Sequence, residues 1–363
     1  MSDLPTVGVE EEFLLVHPQS GYPAPRNKEV AAAAADTGVE LQLELTTCQV
    51  ETTSPVATSA AQLRKQLVDL RKTVVKAAET VGVRALAVAV PPDEHDEFPV
   101  TDTPRYRRID ERFGAIAREQ GICGCHVHVE IPDVEVAIRV SNHLRPWLPT
   151  LLALTANSAV YRGVDTGYAS WRSVLWSRWP SAGPPPYLRD ADHHRAIVEM
   201  MLASGAIVDD RMIYWDVRLS THLPTVEVRV SDVPATVDET VLLATLVRAA
   251  VITAMRQIDD GEDGPHVAAE ILRVAYWKAA HDGLTGDAID ALAGRVIPAA
   301  DMVRTLVDHV RPALEDLGEY QETTELLDSV LARGNGAVTQ RNALRERGAI
   351  ADVVDACAHA TNL

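Results

Sequence analysis

The chain has 363 residues, 47% of them hydrophobic and 24% charged, and carries a formal net charge of −18. This balance fits a folded globular protein. It argues against nucleic acid as a partner, since counterion release needs a basic surface, but leaves room for small anionic ligands, which respond to local charge and bound cations.

No apolar stretch reads as long enough to span a bilayer, and the N-terminus lacks a basic-then-apolar leader. The four cysteines, Cys48, Cys123, Cys125 and Cys357, lack the pair-of-pairs spacing of a zinc site. Reduced thiols in a cytoplasmic protein are expected.

The first predicted strand covers residues 6–16 and contains Val7-Gly8-Val9-Glu10-Glu11-Glu12-Phe13. Alternation puts Glu10 and Glu12 on one face and turns Glu11 to the other, where a structural role is expected. The run Ala31 to Ala35 reads as helix or loop without chemistry. An extended stretch over 39–53 carries Glu44 and Glu51, with Gln49 between them. Residues 59–81 repeat Leu63, Leu67, Leu70 and Val74 at helical spacing behind a Ser59 cap. A buried strand follows at 84–90.

The next strand, 122–131, holds Cys125-His126-Val127-His128-Val129-Glu130-Ile131. It places His126, His128 and Glu130 on one face and apolar residues on the other. A helical pattern covers 134–157. Strands at 212–220 and 224–231, joined through Thr221-His222-Leu223-Pro224, predict an antiparallel hairpin whose second arm carries Glu227 and Arg229. Residues 236–258 are helical, and from 265 onward the pattern is helical to the end, broken at Gly283, Pro298, Pro312 and Gly334-Asn335-Gly336. The expected architecture is α+β, with one largely antiparallel sheet of about six strands. Residues 1–363 read as one catalytic domain, in which 265–363 form a helical part packed on the sheet.

One sheet face thus collects Glu10, Glu12, Glu44, Glu51, Glu227 and His126. Like charges so close do not all stay ionised without cations, and carboxylates suit magnesium or manganese better than zinc. Each segment alone also fits a solvated strand face. Several such ions beside an arginine point to phosphoryl transfer from ATP. Neither a P-loop nor a dinucleotide-binding glycine turn is present.

In order along the chain, Gly8-Val9-Glu10-Glu11-Glu12, Glu44 to Glu51, Cys123-Gly124-Cys125-His126-Val127-His128-Val129 and Thr225-Val226-Glu227-Val228-Arg229 resemble glutamate–cysteine ligase type 2, within it the bacterial carboxylate-amine ligases. Gly163 to Arg172, Trp215-Asp216-Val217-Arg218, and Gly334-Asn335-Gly336-Ala337 with Gln340-Arg341 extend the resemblance over nearly the whole chain. The resemblance implies a glutamine-synthetase-like fold, with a curved sheet whose concave face holds ATP and Mg2+ (or Mn2+) and whose convex face carries helices. It implies phosphorylation of a carboxylate, glutamate being expected, and attack on the acyl phosphate by cysteine or another amine.

Carried over position by position, Glu10, Glu12, Glu44, Glu51, His126 and Glu227 match metal sites. His128 and Arg229 match contacts to the nucleotide phosphates, and Arg229, Glu51 and Glu227 are expected to carry catalysis. Glu130 stands where glycine is common in the family; it would bind a metal, take the incoming ammonium or face solvent, and solvent is favoured.

Arg172 and Arg218 are candidates to clamp a substrate carboxylate, against ordinary structural ion pairs. Ser170 and Tyr168 are candidate substrate contacts or packing residues. Cys123 and Cys125 read as buried thiols, His193-His194 as surface. Trp171, Trp176, Trp179 and Tyr187, with Pro184-Pro185-Pro186, read as a loop over the site, with proline-rich partner binding as the alternative. Two other readings stay open: a zinc hydrolase using His126, His128 and the acids, and a non-catalytic nucleotide-binding homologue. Small-molecule substrates are expected, with no nucleic acid or membrane partner; a homodimer stays open.

Overall fold

The computed structural model describes residues 4–93, 98–220 and 222–363, so Thr221 of the predicted hairpin connection lies outside the described residues. In chain order the strands are β1 (Val7–Val16), β2 (Gln42–Leu43), β3 (Gln49–Thr53), β4 (Arg84–Leu86), β5 (Gly124–Glu130), the small ribbon β6 (Val160–Tyr161) and β7 (Val164–Asp165), then β8 (Val217–Leu219), β9 (Thr225–Asp232), and a second ribbon β10 (Asp287–Asp290) and β11 (Arg295–Pro298). The main sheet has seven strands in the order β2-β3-β1-β5-β9-β8, with β4 also paired to β1. Every pairing in it is antiparallel.

The count is seven because the predicted stretch 39–53 is not continuous. Residues 44–48 turn between β2 and β3, where Gln49 N–H donates to the Thr46 carbonyl at 3.3 Å and the Thr46 hydroxyl bonds the Gln49 side chain. Only Arg84–Leu86 of the 84–90 segment joins the ladder. The rest stays buried, tied through Ala89 to the Asn157 carbonyl (3.2 Å) and the Cys123 amide (3.0 Å). In the 212–220 segment, Asp210–Met212 is a 3₁₀ turn and β8 is short.

One sheet face is apolar. Val127, Val129, Val226, Val228 and Val230 are buried there against the helices Val134–Leu144, Leu148–Thr155 and Val237–Asp259. Burying each valine is worth roughly 1.5–3 kcal/mol, which fixes the register and commits the alternate residues to the opposite face. Glu11 is the polar exception on the packed side. The Arg71 guanidinium grips it through Nε (3.1 Å) and Nη2 (2.6 Å), and the Thr240 hydroxyl donates at 2.6 Å.

The helix Ala60–Thr80 starts at Ser59, whose hydroxyl accepts from the Gln62 amide. Val237–Asp259 is, against the sequence reading, long and apolar enough by length and composition to cross a membrane, with a mean hydropathy of 1.6 over its best window. Most of that window is buried inside the protein, because the helix runs through the core behind the sheet. The C-terminal region is not purely helical, since β10 and β11 interrupt it. Pro312 does not end the helix Ala299–Leu317, whose apolar face, from Met302 to Leu314, is buried and overrides the break. The last helix, Ile350–Thr361, returns to the N-terminal half, where Thr361 Oγ1 accepts from the Ala87 amide at 2.8 Å.

Candidate active site

Because alternation commits the valines to the core, their neighbours on β1, β5 and β9 share the other face. The register places Glu10 opposite His126, His128 opposite Glu227, and Glu227 opposite Arg218 of β8. On the far side of β1, Glu12 lies opposite Glu51 of β3. Glu44 reaches the same space from the turn after β2. These side chains line a cleft of about 420 Å³.

The β5–β9–β8 end is a closed ionic network. His126 Nδ1 lies 3.0 Å from Glu10 Oε2, and His128 Nε2 lies 3.3 Å from Glu10 Oε1. Arg218 donates to both Glu227 oxygens (2.9 and 3.2 Å), and Arg229 Nη1 bonds Glu227 Oε1. Burial opposes ionisation of Glu10, but bonds from His126 and His128 overcome it and hold the carboxyl well below the usual range. Burial likewise opposes the charge on Glu227, and Arg229 and Arg218 pull its pKa well down. Burial and the Arg229 charge lower His126, favouring the neutral ring that a metal ligand needs. Arg229 Nε is buried without a hydrogen-bond partner, a donor left over for a ligand.

The β1–β3 end is different. Burial pushes Glu44 up to about 8, helped by the charges of Glu12 and Glu10. Burial and then Glu44, Glu10 and Glu12 push Glu51 well above the carboxylate range. Glu12 accepts from the Gly124 amide at 2.6 Å. No arginine or lysine pairs with Glu12, Glu44 or Glu51 among the described residues.

This donor set fits hard divalent cations. Three groups of ligand atoms, each within 4.8 Å of one another, are available: Glu10, Glu51 and His126; Glu10, His128 and Glu227; Glu12, Glu44 and Glu51. None contains two histidines, and oxygen predominates, which suits magnesium or manganese and not a histidine-rich zinc centre.

The remaining sequence candidates divide. Arg172 borders the cleft, nearly buried, 3.9 Å from Asp232 and stacked over Trp176 (5.7 Å). Its guanidinium also crowds Gly124, where a Cβ would sit 2.4 Å from Nη2 and force the arginine to shift. Arg218 is engaged by Glu227 in a structural ion pair that faces the cleft. Ser170 is not brought to the site: it is fully buried, caps the helix Trp171–Trp176 and donates to Asp232 at 2.8 Å. Glu130, opposite Thr225 at the end of β5, is exposed and accepts from the Thr6 hydroxyl at 2.9 Å.

All four cysteines are buried thiols. Trp176 and Trp179 line the cleft, whereas Trp171 packs on Tyr161 and Tyr168, and Tyr187 stacks on His266. His194 is not fully surface: it is half-buried, edge-on to Trp215.

Sequence reasoning missed Arg105, Tyr106, Arg211 and Tyr214, which complete the cleft wall. Arg105 forks onto Asp209 (2.9 and 3.1 Å), and the Tyr106 hydroxyl donates to the Leu43 carbonyl at 3.1 Å. Thr103-Pro104, a capping residue followed by proline at N1, announces the helix Pro104–Phe113 that carries both, but not the face it presents.

The model of the glutamate–cysteine ligase family 2 matches residues 6–356. A putative glutamate–cysteine ligase 2-1 of Nocardia farcinica is 60% identical over 97% of this chain and 91% of its own length. A putative glutamate–cysteine ligase 2-2 of Mycobacterium sp. (strain KMS) is 59% identical over 99% of this chain and 100% of its own. Among solved structures, the glutamate–cysteine ligase of Francisella tularensis in complex with AMP superposes with a TM-score of 0.72 at 14% identity, covering 99% of this chain and 89% of that one. A bifunctional glutathione synthetase from Pasteurella multocida gives 0.65 at 13%, covering 99% and 52%. The α+β fold is accordingly that of the glutamine-synthetase-like ligases. By sequence over nearly its entire length, the chain belongs to glutamate–cysteine ligase family 2.

Proposed function

We propose that this ATP-dependent carbon–nitrogen ligase activates a small carboxylate, glutamate in the first instance, as an acyl phosphate and transfers the acyl group to an amine. A carboxylate oxygen bonds to the γ-phosphorus of ATP as the bond to the bridging oxygen breaks and ADP leaves. The amine nitrogen then bonds to the acyl carbon, the bond to the phosphate oxygen breaks, inorganic phosphate leaves, and the amine gives up a proton. The observation that carries the reading is the trio Glu12, Glu44 and Glu51, one buried and two half-buried, gathered without a paired arginine or lysine among the described residues and facing Arg229 across the cleft.

Glu10, Glu12, Glu44, Glu51, His126 and Glu227 would hold Mg2+ (or Mn2+), which supplies charge neutralisation on the phosphates. Arg229, held by Glu227, offers its free Nε to the transferred phosphoryl group, and His128, oriented by Thr225 at 3.0 Å, borders the nucleotide phosphates. Arg218 positions Glu227. Arg172 stands at the cleft margin, where a substrate carboxylate would meet it. Residues 1–363 act in this reading as one catalytic unit, with 265–363 packed on it, in a cytoplasmic setting.

The test is ADP release from magnesium–ATP with L-glutamate and an amine. Glu51→Gln should lower it about a hundredfold or more while the melting temperature holds or rises, because glutamine resembles the protonated form this site favours. Full turnover by Glu51→Gln would remove the metal site from the account.

A further inference from the structure

A second cavity, of about 600 Å³, opens beside the cleft. The two share Arg172 and Trp176 as a common wall. The cleft is lined by acids and arginines. The second cavity is walled mainly by Tyr168, Val174, Trp176, Tyr276 and Trp277; Asp216 is its one acid, and Arg172 and Arg273 stand at its wall. It is large for a cysteine side chain and suits a ring or a long alkyl group.

Asp216 is 4% exposed. It lies just before β8, where its carbonyl accepts from the Arg229 amide at 2.7 Å, which ties it to the strand that bears Glu227. Tyr276 lines the same cavity, its hydroxyl buried without a hydrogen-bond partner. No lysine, arginine or histidine lies within ion-pair distance of it among the described residues. Burial raises its pKa to about 6, against the lowering by Tyr276, Arg172 and Arg229, so near neutrality it is a buried carboxylate without a counter-ion. Such a group is costly unless a cationic ligand head completes it.

The structure assigns this cavity to the acceptor: we infer that it binds a primary amine with an aromatic or long aliphatic body, its ammonium on Asp216 and its body among Tyr168, Trp176, Tyr276 and Trp277. The assignment rests on the ligase reading above and names its amine. Arg172 and Trp176, which line both cavities, then mark the boundary at which the amine nitrogen, once it has lost its proton, meets the activated carboxylate. Cysteine, lacking an apolar body of that size, leaves most of the cavity empty.

The probes are 2-phenylethylamine, cysteine and hydroxylamine, the last small enough to need no cavity. With magnesium–ATP and glutamate, kcat/KM for 2-phenylethylamine should exceed that for cysteine at least tenfold. Its ratio to the value for hydroxylamine should fall at least tenfold in Asp216→Asn and in Ser173→Phe, which fills the cavity from the helix Trp171–Trp176. Calorimetric titration of the wild-type protein with 2-phenylethylamine alone should show binding that Ser173→Phe abolishes.

A preference for cysteine, an unmoved ratio, or no calorimetric binding overturns the assignment. Absent hydroxamate with hydroxylamine strikes the ligase reading instead, and calorimetry then still decides whether the cavity takes the amine.

Discussion

The two ends of the cleft hold similar carboxylates in opposite electrostatic states. At the β5–β9–β8 end, Glu10 and Glu227 are ionised because two histidines and two arginines of the same chain compensate them. At the β1–β3 end, burial and neighbouring carboxylates raise Glu44 and Glu51, and the charges of Arg229 and, for Glu44, Arg105 do not offset them. The difference teaches where external cations are needed. In the proposed reading, one end is largely compensated before any ion binds and fixes Arg229, and the other depends more on the cations it would hold.

The largest effect should come from breaking the compensated end. Glu227→Gln leaves Arg218 and Arg229 buried without their partner, at a cost of about 3–5 kcal/mol, and should remove both ADP formation and much of the thermal stability. Glu51→Gln is its counterpart. Activity should fall about a hundredfold or more, as losing a metal ligand would cause, with no loss of stability. If the two variants behaved alike in melting experiments, the asymmetry between the ends would be wrong.

The pH response sharpens the same contrast. Glu44 has a folded-state pKa of about 8 against 4.5 for the free side chain. Between these values the folded protein holds more protons than the unfolded chain, so the stability of the metal-free protein should fall as pH rises through that window. Magnesium should offset the fall, raising the melting temperature more at pH 8 than at pH 6. A magnesium shift independent of pH would argue against Glu44 as a ligand.

The smallest effects lie outside both ends. Ser170→Ala should cost about 1 kcal/mol through loss of a helix cap and leave KM for both substrates unchanged. Glu130→Gln, at an exposed strand end, should alter stability by less than about 0.5 kcal/mol and leave kcat unchanged. A tenfold change in KM from either would return that residue to the site.

Most of the polar face was legible in the sequence because a strand's period is two. Valines at 127, 129, 226 and 228 commit their neighbours His126, His128, Glu227 and Arg229 to one side, and Glu11 to a buried ion pair on the other. What alternation does not reach is geometry made by turns and helix ends. Glu44 enters from a bend that the sequence reading took for strand. Arg105, Tyr106 and Tyr214 arrive from a helix and a loop whose docking depends on contacts far apart in the chain. Ser170, read as a substrate contact or a packing residue, takes the packing role, as the cap of a short helix. The β10–β11 ribbon escaped notice because its few residues show no period against the surrounding helices, and Pro312 misled because tertiary burial outweighed its local preference.

The central claim is that the cleft activates a carboxylate by phosphorylation. Incubation with magnesium–ATP, L-glutamate and hydroxylamine tests it most directly, with ADP and hydroxamate measured together. The account predicts glutamyl hydroxamate in a one-to-one ratio with ADP, lost in Glu51→Gln. ADP released without hydroxamate at saturating hydroxylamine would contradict it.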